Sequence, residues 1–173
     1  MNFTELGHWL DDTLNRDCAE EWDNVGWMVR PSNSTVTGIS LSVDPSPGAL
    51  ESAIEENNNV LITHHPLIFD SLDQLVEDNP TQRTLIRACR EDVGIYAAHT
   101  NADSMVGGLN DYLADVLGIQ TRRPIRPLEA HEEAGLGRIG SLESSRTVGD
   151  LQARLEEALD PTILEIVGGT DRE

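Results

Sequence analysis

Lysine is absent from this sequence: all 12 basic residues are arginine, set against 31 aspartates and glutamates, for a formal net charge of -19. A chain so acidic repels itself at low ionic strength, because its excess carboxylates cannot all find partners. At molar salt the Debye length falls to about 3 Å and screens that repulsion. The composition therefore reads as a halophile-type adaptation to a salty cytoplasm, with an ordinary acidic cytosolic protein as the alternative. Either way, binding to a nucleic-acid backbone, which needs basic patches, is disfavoured. Cysteine is scarce too. Cys18 and Cys89 have no CxxC partner and fit two reduced intracellular thiols better than a disulfide framework. No apolar run approaches the length of a transmembrane helix, and residues 1–5 lack the basic and apolar regions of a secretory signal. The expected location is the cytoplasm, with no membrane partner. Gly-x-Ser-x-Gly is missing, and no cysteine stands in a His-rich loop, so nucleophilic catalysis has little support. Gly107-Gly108 is too poor in glycine to cradle a phosphate.

What the sequence does have is Val-Leu-Ile-Thr-His-His-Pro at residues 60–66. A short apolar run without alternation suits a strand buried on both faces of an α/β sheet. His64 and His65 would then follow its C-terminal end, where open α/β sheets place their ligands. Neighbouring residues of an extended segment point to opposite sides, so the two imidazoles could serve two ions or two sides of one site. A plainer reading makes one a cap for a backbone carbonyl and leaves the other in solvent. Neutral imidazole is the commonest protein ligand of transition metals.

The 173 residues suffice for one domain with a real core. Leu6, Trp9, Leu10 and Leu14 recur at helical spacing and predict a helix over 4–17, capped by Asn2 or Thr4. Residues 20–30 begin as a turn at Asp23-Asn24 and become a strand, followed by a polar loop over 31–37. Strand 38–43, helix 49–57 and strand 60–63 form a β-α-β unit, so the two strands should be parallel. After a loop over 67–78, Asn79-Pro80-Thr81-Gln82 announces a helix running to about residue 91. Strand 93–98 leads into His99-Thr100-Asn101-Ala102-Asp103, then helix 109–117, stopped by Gly118. Residues 122–134 read as a linker, 151–159 as a helix capped at 147–150, and 162–167 as a final strand before loop residues. The fold class expected is α/β: a mixed or mostly parallel sheet flanked by helices, with the start of a second, smaller α+β lobe. The boundary is drawn between an N-terminal lobe, 1–121, and a second part, 122–173.

Two strand ends thus carry ligand-type side chains, His64 and His65 at one, His99 and Asp103 at the other. Neighbouring strands lie about 4.8 Å apart, so the ends could converge on one pocket. Two or three imidazoles with a carboxylate suit Zn, Fe, Mn or Co better than Ca or Mg. Asp44, ending the strand before, reads better as a cap for the following helix. His8 and His131 read as solvated. Metal-assisted hydrolysis, with the ion lowering the pKa of bound water, is the enzymatic reading.

Trp22-Asp23-Asn24-Val25-Gly26, Ile62-Thr63-His64-His65-Pro66-Leu67, His99-Thr100-Asn101-Ala102-Asp103 and Gly137-Arg138-Ile139-Gly140 occur in that order. Together they resemble the GTP cyclohydrolase type 2-like family, the NGG-interacting-factor-three-like proteins. The resemblance implies two divalent metal cations per subunit in a toroidal homohexamer, ligated here by His64, His65 and Asp103, with His99 beside the site in a supporting role. It implies a metal-dependent hydrolase acting on a purine nucleotide such as GTP, or alternatively a non-catalytic metal-binding or regulatory scaffold. In that family a later half returns to the first lobe with a His-x-x-x-Glu segment that completes the site. No histidine follows His131 here, so that segment is expected from outside these residues, or the site is incomplete.

Overall fold

Val60–Thr63 forms a strand because both of its faces are covered. Val60 and Leu61 are fully buried, and the strand lies between two parallel neighbours. The computed structural model describes residues 1–31 and 35–170. Its first unit, Met1–Ala102, holds a four-stranded sheet in the order β1-β4-β3-β2. Strands β2 (Ile39–Ser42), β3 (Val60–Thr63) and β4 (Gly94–Ala97) are parallel, and β1 (Gly26–Val29) pairs antiparallel with β4. The sheet is therefore mixed and mostly parallel, as the sequence predicts.

Helices α2 (Pro47–Glu55) and α3 (Pro80–Arg90) supply one core layer, in which Leu50, Leu85 and Ala88 pack on Leu61 and Ile95. Helix α1 (Phe3–Thr13) covers the other face, where Phe3, Leu6 and Leu10 meet Val60, Tyr96 and Ala98. Asn2 caps α1 through a reciprocal capping box with Glu5. The helix is shorter than its periodicity predicts. Asn15 turns left-handed, with φ of 43°, and a 3-10 turn takes Arg16–Cys18. Trp9, expected on the inner face, is 53% exposed. Edge strand β2 also turns apolar residues outward, with Leu41 78% exposed.

The second unit, Asp103–Glu173, corrects the sequence reading in three places. First, the contacts set its boundary at 102/103, whereas the sequence reading set it at 121/122. The reason is that β5 (Ile119–Arg123) pairs with β8 (Ile139–Leu142), and α5 (Leu109–Leu117) packs on β5 and on α6 (Val148–Leu159). Second, the linker read over 122–134 is largely strand. β6 (Arg126–Leu128) and β7 (His131–Leu136) form an antiparallel pair in which Gly135, with φ of 143°, lets the Arg126 and Pro127 backbone approach. Third, residues 162–167 form no strand. Ile163 and Val167 stand exposed there, and an extended segment becomes a strand only when a neighbouring edge supplies hydrogen bonds.

The loops read over 31–37 and at the C-terminus fall in part, at 32–34 and 171–173, outside the described residues. Among the described residues, no helix is long and apolar enough to cross a membrane.

Apolar burial in the second unit is slight, Ala114 and Ala134 being its buried hydrophobics among the described residues. Polar contacts take up the load. Arg138, its side chain 3% exposed, donates to both carboxylate oxygens of Asp111, at 2.7 and 3.1 Å. It also donates to the carbonyls of Gly135 and Gly137. The Gly-Arg-Ile-Gly motif is thus a structural clasp.

Candidate metal centre

Every strand of the first sheet delivers a group to the same end. The parallel strands β2, β3 and β4 finish there, followed by Asp44, by His64 with His65, and by His99. The antiparallel β1 starts there, since Gly26 pairs with Ala97, so Asp23 arrives at that end from the opposite chain direction. The ladder continues a little past the strands. His64 N–H donates to Ser42 O at 3.1 Å, His65 N–H to Val43 O at 2.9 Å and Ala98 N–H to Thr63 O at 2.8 Å. These bonds fix the backbone from which the histidines project.

His64 and His65 lie in a bend rather than in extended chain. The Thr63 hydroxyl donates to His65 O across that bend, at 2.7 Å. The two rings therefore do not diverge, and their centroids are 5.1 Å apart. His99 joins them, its centroid 5.1 Å from His64 and 5.8 Å from His65. One ligand atom from each of the three histidines lies within 4.8 Å of the others. Asp103, one helical turn beyond His99 on α4 (Thr100–Ser104), falls in the second unit and is not among them.

Each imidazole is oriented through Nδ1. His64 Nδ1 lies 3.0 Å from Ala98 O, His65 Nδ1 2.6 Å from Asp44 Oδ1, and His99 Nδ1 2.9 Å from Asp23 Oδ1. Carbonyl and carboxylate oxygens only accept, so each Nδ1 carries a proton, and in the neutral ring the lone pair is then on Nε2. A hydrogen bond at one ring nitrogen that leaves the other basic is the arrangement of metal-ligating histidines. The three residues therefore fit a divalent transition metal.

Asp23 and Asp44 differ in surroundings. The Asp23 side chain is fully buried and Asp44's is 68% exposed. Burial pushes the Asp23 carboxyl up, but bonds from His99, from the Thr100 hydroxyl and backbone and from Asn24 N–H outweigh it and hold the pKa below the ordinary value. Asp44 does not cap α2, as the sequence suggested. Ser46 does, accepting from Ala49 N–H at 3.1 Å, and that leaves Asp44 to His65.

Asp23 had one signal in the sequence, its place in the Trp-Asp-Asn-Val-Gly stretch. Its partner lies 76 residues away, so only the sheet topology reveals the pairing. His8 and His131 are exposed, as expected.

The family model for Duf34/NIF3 (NGG1p interacting factor 3) matches residues 1–173. A GTP cyclohydrolase 1 type 2 homolog from Clostridium acetobutylicum is 31% identical over 174 residues, spanning 100% of this chain and 65% of that protein. NIF3-like protein 1 of Bos taurus is 37% identical over 131 residues, 75% of this chain and 35% of its own. The chain thus spans less than two thirds of the length of these relatives. Among solved structures, a Bacillus cereus protein related to NIF3 superposes with a TM-score of 0.89 at 21% identity, over 99% of this chain and 74% of that one. Reduced HcgD from Methanocaldococcus jannaschii gives 0.78 at 26% identity, over 91% and 60%.

Proposed function

The chain belongs to the Duf34/NIF3 family, and from that premise we propose that it is a cytoplasmic divalent-metal-binding protein holding its ions at His64, His65 and His99, with Asp103 as the carboxylate ligand. The observation that carries this reading is the convergence of three imidazoles, each hydrogen-bonded at Nδ1. In this reading His99, to which the resemblance gives a supporting role, joins the ligand set. Asp103 enters by family resemblance. Imidazole nitrogen with carboxylate oxygen suits Zn, Fe, Mn or Co.

A bound ion of this kind acts as a Lewis acid and makes water a nucleophile near neutral pH. The chain's own residues supply the rest: Asp23 and Asp44 set the tautomers of His99 and His65, and the Ala98 carbonyl sets that of His64. The activity we assign is metal-dependent hydrolysis of a purine nucleotide, after the cyclohydrolase homologs, in a homohexamer. A metal-holding scaffold without turnover is the second reading.

The test is elemental analysis of purified wild type and of the His64→Ala, His65→Ala and His99→Ala variants, beside a GTP-hydrolysis assay and sedimentation. Metal lost in each variant supports the assignment, whereas unchanged stoichiometry in all three rejects it. Metal retained without turnover selects the scaffold.

A further inference from the structure

Trp22 stands beside the histidines and Phe69 beside Trp22, and the metal assignment gives neither a task. Trp22 and Phe69 are 58% and 51% exposed, and their ring centroids lie 6.0 Å apart at an interplanar angle of 50°. Trp22 also meets His99, with centroids 6.4 Å apart and planes 81° from each other. The wall is therefore continuous with the imidazole cluster.

Both rings project from tethered backbone. Asp23, next to Trp22, is held by His99 and Thr100. Glu20 N–H donates to the Thr100 hydroxyl at 3.0 Å and fixes the chain on the other side of Trp22. Asn24 Nδ2 donates to Ile68 O at 2.6 Å, which ties the segment carrying Phe69 to the segment carrying Trp22. Large aromatics left in water on fixed backbone are unfavourable for folding alone but suit binding, because little ordering remains when a ligand arrives. Two tilted π faces beside metal-type ligands select by shape and polarisability, and their natural complement is another flat π system.

We infer that Trp22 and Phe69 form the ring-binding wall of this site, taking a planar heteroaromatic group of nucleobase type and presenting it to the histidine cluster. The inference rests on the metal reading for what lies beside the ring, but the wall's own contact is with the base and not with phosphate. Affinity should then reside in the base. Stacking on aromatic side chains is sequence-tolerant, so the wall selects flatness before it selects a particular base.

The test uses the full chain, with metal content measured on every preparation. Guanosine, GTP and inorganic triphosphate are titrated by equilibrium dialysis and by tryptophan fluorescence. Guanosine and GTP should bind with similar affinity, and inorganic triphosphate should not displace guanosine. Trp22→Ala and Phe69→Ala should each weaken guanosine binding about tenfold at unchanged metal content, while Trp22→Phe keeps most of the affinity. If Trp22→Ala misfolds by circular dichroism, Phe69→Ala and Trp22→Phe still decide. Guanosine affinity indifferent to these substitutions, no guanosine binding by wild type, or triphosphate competing as well as GTP would each overturn the inference. A wild-type chain that binds guanosine through Trp22 and Phe69 yet holds no metal would overturn only the metal reading.

Discussion

His99 donates its Nδ1–H to the Asp23 carboxylate over 2.9 Å, and the Asp23 side chain is fully shielded from solvent. The other oxygen of Asp23 accepts from Thr100 N–H at 3.0 Å and from the Thr100 hydroxyl at 2.5 Å. Replacing Asp23 with Asn puts an amide among donors, so one of its N–H groups must face another N–H or O–H. The ring of His99 then loses both its orientation and the basicity that an ionised partner confers. Asp23→Asn should weaken metal binding by about 10–100-fold. Asp44→Asn should do less, because Asp44 is 68% exposed and water can replace it. A chelator-competition titration of the two variants compares them directly, and equal losses would contradict the ranking.

Salt should stabilise the fold. With a net charge of -19 and no lysine, carboxylate repulsion acts on the folded chain, and molar KCl shortens its range to about 3 Å. Thermal melts from dilute to molar KCl should show a steady rise in Tm. A flat or falling Tm would remove the halophile reading and leave an ordinary acidic protein.

In the second unit the hydrogen bonds from Arg138 hold the Asp111 carboxyl below the ordinary carboxylate range, against the upward push of burial. The sign follows from linkage. A depressed native pKa contributes stability that is complete above the unfolded value, about 3.9, and is lost as pH falls through the native one. Asp111→Asn should therefore lower Tm at pH 7 and flatten the acid limb of the stability profile. Since Arg138 would stay buried with its carboxylate gone, the loss should be about 3 kcal/mol. Melts of wild type and variant between pH 7 and pH 2.5 test both statements, and parallel acid limbs would refute the second.

Local pattern made the first unit legible. Apolar β3 reads as buried strand, Asn79-Pro80 as a helix start, and two strand ends as places that bring histidines together, since each of these is a short-range property of neighbouring residues. What stayed hidden is long-range. The Asp23–His99 and Asp111–Arg138 pairs join residues 76 and 27 positions apart, and no local periodicity encodes them. The hairpin over β6 and β7 was obscured because proline and charge at 122–134 resemble a linker. Residues 162–167 misled in the other direction, since β-type composition without a partner edge leaves a coil. The convergence of His99 with His64 and His65 was hidden too, because nothing in the sequence fixes the bend that turns those two to one side.

Gly94 supplies a packing test of the first unit. It opens β4 and lies buried in the core. A Cβ there would come within 2.4 Å of Phe3 Cε1 and 2.8 Å of Trp27 Cζ3. Those rings pack against each other, with centroids 5.4 Å apart, and Trp27 in turn packs edge-on to Tyr96. Neither ring can yield without disturbing the layer beneath α1. Overpacking of this kind costs about 1–3 kcal/mol, more than the gain of about 0.4–1 kcal/mol from a stiffer unfolded chain. Gly48 gives the opposite case. It lies in α2, and its added Cβ would meet nothing closer than Ser46 Oγ at 3.9 Å. Gly48→Ala should thus be neutral or stabilising by up to about 1 kcal/mol, since alanine also favours the helix. Paired denaturant titrations should place the midpoint of Gly94→Ala below wild type and that of Gly48→Ala at or above it. If Gly94→Ala matched wild type, the aromatic layer would be looser than its ring distances indicate, and α1 would have to shift to admit the methyl group.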